Sequence, residues 1–285
     1  MKTTVIGFQA EAALVRGVAK ALGVKPQFFE PKQYRAGEWA VFSPAEIAER
    51  VVVAGNIWED PKQVFQLALL LKAVQTAGAK KVFLIAPWIA YGRQDRPASR
   101  GESPAGQVIA EFLLSTGVDK IVTLDAHSIR FQNFFKGRLV SVQSVEAAVS
   151  SARNLRITAV ATPDRGARSR AKLVADKLRV PFIQIDKRRI GSGKVISHLV
   201  SGNPKGQRVL LIDDIVDSGK TLIKAAEILK QKGAVSVHAY LSHAVDINKF
   251  GRNAKKYGID FIQAAFDHRT RRLSIAIKSL VTRLP

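Results

Sequence analysis

Short apolar runs rich in valine and isoleucine alternate with helix-like patterns of about 12–15 residues along the chain. This alternation predicts parallel strands joined by crossover helices, and therefore an α/β fold. Several runs are apolar at successive positions, which is typical of strands covered on both faces. The predicted strands are Thr4–Gly7, Arg50–Ala54, Lys81–Ala86, Lys120–Leu124, Ile157–Ala161, Phe182–Ile185, Arg208–Ile212 and Ser236–Ser242.

Two segments suggest an internal duplication. A helical pattern ending in Gly78-Ala79 leads into one predicted strand, and a similar pattern ending in Gly233-Ala234 leads into another. Gly-Ala is also a common helix stop before a strand, so coincidence stays open as the alternative. With a joint near residues 140–155, we predict two similar α/β halves, residues 1–145 and 146–285.

Composition excludes several classes of protein. Apolar residues make up 47% and charged residues 24% of the 285 residues, which excludes a mainly disordered chain. The longest mostly apolar stretch, Val82–Tyr91, is interrupted by Pro87 and is too short to span a bilayer. No secretory signal is visible at the N-terminus, so we expect a cytoplasmic protein without a membrane partner. Because cysteine is absent, any metal must be held by oxygen or histidine ligands.

Charge is the abnormal quantity. The chain has 45 basic and 23 acidic residues, a formal net charge of +22 and a sequence pI near 10.5. A polyanionic partner therefore has to be considered. The basic residues are scattered along the chain, however, and no helix-turn-helix, zinc-finger or aromatic ribonucleoprotein motif is visible. We therefore expect no nucleic-acid partner.

The segment Arg208–Leu222 carries the most chemical information. It places an apolar strand before the adjacent carboxylates Asp213 and Asp214, followed by a Ser/Gly/Thr loop and a helical pattern. Ligands of open α/β sheets bind at the carboxyl ends of the strands, and loop amides at a helix N-terminus hold phosphate. The carboxylates suit neighbouring sugar hydroxyls. The segment therefore predicts a pentose phosphate site.

Two other interpretations of this segment agree less well with its residues. A nucleotide-binding P-loop needs a glycine five residues before Gly219, where this chain has Asp214. A solvated turn would not ordinarily follow a wholly apolar strand. The pentose phosphate site is the prediction that fits both observations.

At this point the segment resembles the phosphoribosyl-diphosphate-binding motif, and the chain as a whole, to about Leu284, resembles the ribose-phosphate pyrophosphokinase family in its compact archaeal form. The resemblance implies two type I phosphoribosyltransferase-like halves, each a mostly parallel sheet flanked by helices. The N-terminal half would be the ATP side with the oligomer contacts, and the C-terminal half would hold ribose 5-phosphate. A dimer-based homo-oligomer or a hexamer is implied as well.

Four further motifs carry this resemblance. Tyr91–Arg96 is similar to the family segment that binds the ATP phosphates and adenine, and its arginines offer planar forks for phosphate oxygens. Leu124–His127, with the Phe/Gln-rich stretch after it, is similar to the family's strand-end Asp-Leu-His. Thr162–Ala167 is similar to its Pro-Asp-x-Gly turn. Asp186–Arg189, leading into Gly191-Ser192-Gly193, is similar to its mobile catalytic loop.

By this resemblance, the 1-hydroxyl of ribose 5-phosphate attacks the β-phosphorus of Mg-ATP, giving 5-phosphoribosyl 1-diphosphate and AMP. Magnesium is the implied cofactor. The implied roles are catalysis for Lys187 and Arg189; ATP binding for Tyr34, Glu38, Arg93, Gln94, Asp95, Arg96 and His127; ribose 5-phosphate binding for Asp213, Asp214, Asp217, Ser218, Gly219, Lys220 and Thr221; and metal binding for His127 and Asp164.

The chain departs from the family pattern at two positions. In Tyr34–Glu38 the carboxylate that would read the adenine amino group is replaced by Ala36, and within the phosphate loop a small residue is replaced by Lys220. These departures favour the alternative of a non-catalytic paralogue that binds nucleotide or a partner enzyme. A phosphoribosyltransferase that consumes the diphosphate would share the loop but would not need Tyr91–Arg96 or two fused halves.

Overall fold

The computed structural model describes residues 2–43, 46–164, 166–190, 195–216, 218–245, 247–268, 271–273, 275 and 277–285, with side chains other than those of 187–190, 195–198, 248, 249, 253 and 272. The chain forms two compact units. The N-terminal unit comprises Met1–Val142 together with Ala276–Pro285, and the C-terminal unit comprises Gln143–Ile275.

The N-terminal unit is built on a six-stranded parallel sheet of order β2-β1-β5-β6-β7-β8. A two-stranded antiparallel hairpin, β3-β4, is separate from it. The elements of this unit are β1 Thr3–Phe8, α1 Ala12–Leu22, β2 Pro26–Phe29, β3 Lys32–Gln33, β4 Trp39–Ala40, β5 Arg50–Ala54, α2 Pro61–Thr76, β6 Lys81–Ile85, α3 Ala105–Ser115, β7 Lys120–Leu124, α4 Ile129–Phe134, β8 Leu139–Val142 and the C-terminal α9 Ile277–Val281, with a 3-10 turn at Gln9–Glu11.

The C-terminal unit has a seven-stranded sheet of order β11-β10-β9-β12-β13-β14-β15. Its central strands are parallel, and the outermost strand at each edge is antiparallel. The elements are α5 Val145–Asn154, β9 Ala159–Thr162, α6 Arg168–Leu178, β10 Phe182–Ile190, β11 Val195–Ser201, β12 Arg208–Val216, α7 Lys220–Gln231, β13 Ser236–Ala244, α8 Ile247–Lys256, β14 Phe261–Asp267 and β15 Arg272–Leu273.

Local sequence explains where the helices begin and end. Asp60 caps α2 by accepting a hydrogen bond from the Lys62 amide (3.0 Å), and Pro61 occupies the first turn, where its missing N–H costs nothing. Gly23 ends α1 in the left-handed conformation, with φ 69°. Each unit has its own apolar core, formed by the valine- and isoleucine-rich strands and the inner faces of the helices.

The predicted α/β architecture is confirmed, with two mostly parallel sheets flanked by helices. All eight predicted strands are present, with ends that differ by a few residues. The prediction that Phe182–Ile185 is a strand was too short, because β10 continues to Ile190 as one arm of an antiparallel hairpin with β11. Among the described helices, none has the length and apolar character needed to cross a bilayer.

The division of the chain differs from the predicted halves at the C-terminus. Residues 276–285 were placed in the second half, but they belong to the N-terminal unit. The Ile277 side chain occupies the space beside Gly17 in α1, where a Cβ would lie 2.1 Å from Ile277 Cδ1. Arg50 Nη2 also donates to the Pro285 carbonyl at 2.8 Å. These contacts depend on pairs far apart in sequence, so no local pattern could have predicted them.

Candidate functional site

Two carboxylates lie at the end of the buried part of β12. Val209 to Ile212 are fully buried, whereas Asp213 and Asp214 are half-buried. Asp213 Oδ1 accepts a hydrogen bond from the Asp214 amide (2.9 Å), and Asp214 Oδ1 accepts one from the Ile215 amide (2.8 Å). These local bonds hold the two side chains in place in the C-terminal part of β12. The predicted strand end at Ile212 was too early, because β12 continues to Val216.

Asp164 lies close enough to this pair to act on it electrostatically. It follows the neighbouring strand β9, and its Oδ1 accepts the Gly166 amide at 2.8 Å. Burial raises the pKa of Asp213 to about 8, and the charges of Asp214 and Asp164 add to the effect. The edge therefore gathers negative charge from two adjacent strands, which favours a ligand rich in hydroxyl donors or a cation.

The predicted phosphate loop leads from β12 into α7. Gly219 holds a left-handed conformation (φ 71°) directly before the helix, and a Cβ at this position would lie 1.8 Å from a ring carbon of Phe250. Glycine is therefore required there for two reasons. Ser218 is exposed and Thr221 is half-buried, so both are accessible. Of the predicted loop residues, Asp217 lies outside the described residues.

Lys220 is the first residue of α7 and is exposed. The first turn of α7 contains no acidic residue. A cation at this end of a helix is unfavourable, because it adds to the partial positive charge of the unpaired amides. The N-terminus of α7 therefore combines unpaired backbone amides with the Lys220 ammonium group. An anion bound there would reduce the repulsion between these positive charges.

The predicted catalytic pair lies on β10 and not in a loop. In the antiparallel register, Lys187 is paired with His198 and Arg189 with Ile196 of β11. The predicted hinge, Gly191-Ser192-Gly193, lies outside the described residues. For the predicted catalytic residues Lys187 and Arg189, the structure gives the position of the backbone only. This backbone lies on the β10–β11 hairpin, next to β9.

In the N-terminal unit, the segment Tyr91–Arg96 packs against α3 and α4. Gly106 of α3 donates its amide to the Gln94 carbonyl (3.1 Å), and a Cβ on Gly106 would lie 3.0 Å from the Tyr91 carbonyl oxygen. Arg93, Gln94 and Arg96 are exposed. The close backbone packing thus fixes a loop that presents two guanidinium groups and an amide to ligands.

The strand-end motif of β7 meets this loop. Asp95 accepts a hydrogen bond from Ser128 Oγ (2.6 Å), and the same Ser128 oxygen caps α4 by accepting the Phe131 amide (3.0 Å). His127 is exposed next to Ser128, and Asp125 is buried with a left-handed φ of 42°. The structure therefore brings the predicted ATP residues 93–96 together with residue 127.

The remaining predicted ATP residues, Tyr34 and Glu38, close the β3-β4 hairpin. The Tyr34 amide donates to the Glu38 carbonyl (2.8 Å), and the Tyr34 side chain is 45% exposed. This hairpin packs by α2, where Lys62 lies over the Trp39 ring at 4.2 Å. It is built on a different element from the helices that support the Tyr91–Arg96 loop.

A buried network at the carboxyl edge of the N-terminal sheet was not predicted. Glu11 accepts hydrogen bonds from Asn56 Nδ2 (2.9 Å) and Trp58 Nε1 (2.6 Å), and Asn56 Oδ1 accepts the Trp88 amide (2.8 Å). Trp88 precedes Tyr91, so the network anchors the start of the candidate ATP loop. The sequence contained an indication of this network, because Glu11, Asn56 and Trp88 each follow a predicted strand. The ligand sites of such sheets form at these strand ends.

The donors at the C-terminal site are compatible with magnesium. Within the part of the chain that the structure describes, no three His, Asp or Glu side chains are arranged to hold a metal by themselves. Mg²⁺ commonly takes one or two protein carboxylates and completes its octahedron with water and substrate oxygens. Asp164, Asp213 and Asp214 provide such oxygens, and a cation would relieve their mutual repulsion.

Comparison with known proteins agrees with this geometry. Residues 138–274 match the family described as "Phosphoribosyl transferase domain", and residues 3–117 match "N-terminal domain of ribose phosphate pyrophosphokinase". The fold is that of a crystal structure of phosphoribosylpyrophosphate synthetase from Mycobacterium smegmatis, with a TM-score of 0.79 at 24% identity over 93% of this chain and 88% of that one.

Curated relatives point to one family. A ribose-phosphate pyrophosphokinase of Thermoplasma acidophilum is 31% identical over 245 residues, which cover 86% of this chain and 85% of the relative. One from Thermococcus kodakarensis is 31% identical over 78% of this chain and 80% of its own length. One from Cereibacter sphaeroides is 31% identical over 64% of this chain and 56% of its own length. The chain thus belongs to the ribose-phosphate pyrophosphokinase family.

Proposed function

We propose that the protein is an active ribose-phosphate pyrophosphokinase, which transfers the β,γ-diphosphoryl group of Mg-ATP to the 1-hydroxyl of ribose 5-phosphate. The observation that carries this proposal is the carboxyl edge of the C-terminal sheet. There, Asp213 and Asp214 stand near Asp164, a few residues before β12 ends at Val216, and a glycine loop then leads into α7. Acceptors for sugar hydroxyls and an anion site follow one another along the chain.

Ribose 5-phosphate binding is the first task of this edge. The carboxylates of Asp213 and Asp214 accept hydrogen bonds from two neighbouring ribose hydroxyls. The amides at the start of α7, with the Ser218 and Thr221 hydroxyls and the Lys220 ammonium group, hold the 5-phosphate. The positive end of α7 then faces the dianion, and the negative edge faces the donor groups of the sugar.

Diphosphoryl transfer is mainly a matter of position and charge. Lys187 and Arg189 stabilise the charge that develops on the transferring group, while Arg93, Gln94 and Arg96 hold the nucleotide. Mg²⁺, when bound with ATP, withdraws charge from the phosphoryl oxygens. Each unit has one residue that would hold the metal: His127 in the N-terminal unit, and Asp164, close to Asp213 and Asp214, in the C-terminal unit.

The position of the hairpin supports an oligomer. Because Tyr34 and Glu38 lie on a partly exposed hairpin by α2, we propose that they complete the ATP site of a neighbouring subunit in a dimer-based assembly or a hexamer. A monomeric mass in solution together with full activity would overturn this assignment.

The test is the identity of the spent nucleotide. Purified protein is incubated with Mg²⁺, ATP and ribose 5-phosphate, and nucleotides are separated by ion-exchange chromatography. Diphosphoryl transfer gives AMP in strict dependence on ribose 5-phosphate, and ribose without a phosphate gives none. ADP as the product would show transfer of a single phosphoryl group and would overturn the proposal.

A non-catalytic paralogue is the second candidate, because Ala36 replaces the carboxylate expected to read the adenine amino group. Folded protein that binds ribose 5-phosphate but forms no AMP with ATP or other triphosphates would establish it. The variant Ala36→Asp, which introduces the carboxylate, then tests whether residue 36 accounts for the absence of AMP formation.

A further inference from the structure

The positive charge of the chain is concentrated in the C-terminal unit. Residues 143–275 contain 25 basic and 11 acidic residues, a net charge of +14, whereas the remaining residues contain 20 basic and 12 acidic ones, a net charge of +8. Among the described residues of the C-terminal unit, four acidic residues are paired with lysines: Glu146 with Lys177, Asp176 with Lys172, Glu227 with Lys224, and Asp260 with Lys230.

Part of this excess gathers at the edge of the sheet opposite to the candidate site. Parallel strands begin at one edge and end at the other, and β12 rises about 17 Å from Arg208 to Asp213. Three segments separated in sequence meet where β12, β13 and β14 begin. We name this surface the basic edge; it comprises Lys205, Lys230, Lys232, Val235, Lys255, Lys256, Tyr257 and Phe261.

Direct contacts hold these segments together. The Val235 amide donates to the Gln207 carbonyl (2.9 Å), and the Lys205 side chain lies against Gly233, with its Cγ 3.2 Å from where a Cβ would stand. Lys230 donates to the Val235 carbonyl (3.1 Å) and pairs with Asp260 (3.1 Å). Lys230 also lies against Gly258, with its Cγ 3.4 Å from where a Cβ would stand, so the three segments contact one another.

The charges of this surface are largely uncompensated. Asp260 is the one acidic residue in segments 203–208, 230–236 and 255–261, and Lys230 neutralises it. Lys205, Lys232, Lys255 and Lys256 are exposed, and within the described residues none of them forms an ion pair with a carboxylate.

Charges of both signs act on a neighbouring side chain. Burial lowers the pKa of His238 on β13; the charge of Asp260 raises it, and the charges of Arg208 and Lys230 lower it. The four lysines without an acidic partner among the described residues would attract an anion that approaches the edge from solvent.

Apolar side chains stand among the lysines. Val235 is 62% exposed, Tyr257 40% and Phe261 43%. Tyr257 directly follows Lys255 and Lys256 in the chain, at the C-terminal end of α8. A nucleotide likewise joins a planar base to a phosphate in each repeating unit, and aromatic rings among lysines are the usual means of binding single strands.

From this arrangement we infer that the basic edge binds single-stranded nucleic acid, with phosphates on the four unpaired lysines and bases on Tyr257 and Phe261. A second copy of the chain does not fit, because it would bring two strongly positive surfaces together. The sequence argued against nucleic acid because it contains no known motif. The basic edge, however, is assembled from three distant segments, so a linear motif could not reveal it.

The test is the binding of a fluorescently labelled 12-nucleotide oligouridine, followed by anisotropy at several salt concentrations. Four phosphate contacts predict a slope of log K against log salt of about −3 for a single strand. Neutralising the four lysines (Lys205→Gln, Lys232→Gln, Lys255→Gln, Lys256→Gln) should weaken binding at least tenfold and flatten the slope. The variant Tyr257→Ala/Phe261→Ala should weaken binding on the order of tenfold with an unchanged slope.

The control has the same net charge as the lysine variant. It replaces four exposed lysines of the N-terminal unit: Lys20→Gln, Lys25→Gln, Lys72→Gln and Lys136→Gln. Binding within about twofold of wild type is expected. If the control lost as much affinity for oligouridine as the lysine variant, binding would depend on the net charge of the protein and not on the basic edge. This result would overturn the inference.

Two further outcomes would also overturn it. Equal affinity for inorganic polyphosphate and for oligouridine, with no effect of the aromatic variant, would mean that bases are not recognised. Binding to vesicles of phosphatidylcholine and phosphatidylserine without binding to oligouridine would mean that the occupant is a membrane surface. None of the substituted residues belongs to the proposed catalytic machinery, so AMP formation should persist in every variant and reports on the proposed function separately.

Discussion

The two sheets differ in how the polar groups beyond their strands are satisfied. In the N-terminal unit, the Glu11 carboxylate is enclosed by donors from Asn56 and Trp58, so its charge is compensated within the protein. In the C-terminal unit, the Asp213 carboxylate is placed against two other carboxylates, and burial together with their charges raises its pKa to about 8. The first arrangement stabilises the fold, whereas the second costs stability and prepares a binding site.

The carboxyl edges of the two sheets therefore have different roles: one fixes a loop and the other binds a ligand. A satisfied network can hold a loop in place, as the Glu11 network holds the start of Tyr91–Arg96. A cluster of like charges gains free energy when a ligand supplies hydroxyl donors or a cation. Substitutions at the two edges should therefore separate fold stability from ligand binding.

The largest effect is expected at Lys187 of the C-terminal unit. Lys187→Ala should lower turnover by roughly 10²- to 10³-fold, as expected for the loss of a group that stabilises transition-state charge, and should leave ribose 5-phosphate affinity within about twofold. Steady-state kinetics and calorimetry measure the two quantities. Lys224→Ala, which removes a lysine paired with Glu227, is the control. Unchanged turnover in Lys187→Ala would remove this residue from the mechanism.

Next in size is the ribose contact. The double variant Asp213→Ala/Asp214→Ala should weaken ribose 5-phosphate binding by at least about a hundredfold, because hydrogen bonds to charged groups contribute about 1.5–3 kcal/mol each. Titration calorimetry without ATP measures it. Asp176→Ala, which removes an exposed carboxylate paired with Lys172, should bind normally. Wild-type affinity in the double variant would contradict the ribose assignment.

At the N-terminal edge the expected effect is on stability. Glu11→Ala leaves buried donors of Asn56 and Trp58 without their acceptor, which should cost about 1–3 kcal/mol for each group. Chemical denaturation should show this loss, while Glu30→Ala, at an exposed position, should not change stability. If Glu11→Ala were as stable as wild type, the contrast between the two edges would fail.

The smallest effect is the pH dependence of stability. The folded-state pKa of Asp213 is about 8 against an ordinary 3.8, so the folded state retains a proton that the unfolded chain loses. This contribution to stability is fully present below pH 3.8 and is lost as the pH rises to about 8. Asp213→Asn cannot ionise, so it should melt a few degrees above wild type at pH 9, and this difference should exceed that at pH 5. Scanning fluorimetry at both pH values measures it; equal differences would show that Asp213 does not titrate in this way.

The sequence predicted what local patterns determine. The eight valine- and isoleucine-rich strands and the glycine loop before α7 follow from alternation, from a carboxylate pair and from a required glycine. The sequence did not predict the attachment of the C-terminal helix, which depends on the packing of Ile277 against Gly17. It also missed the Glu11 network, because its partners come from three strand ends, and the continuation of β10, because the charged run Lys187–Arg189 is typical of a loop.

The central claim, that the chain forms 5-phosphoribosyl 1-diphosphate at the charged edge of the C-terminal sheet, is tested most directly by phosphorus NMR. Wild-type protein and the variant Asp213→Asn/Asp214→Asn are mixed with Mg²⁺, ATP and ribose 5-phosphate. We predict that wild type forms AMP and the sugar diphosphate in equal amounts and that the variant forms neither at the same substrate concentrations. Equal product formation by both proteins would contradict the account.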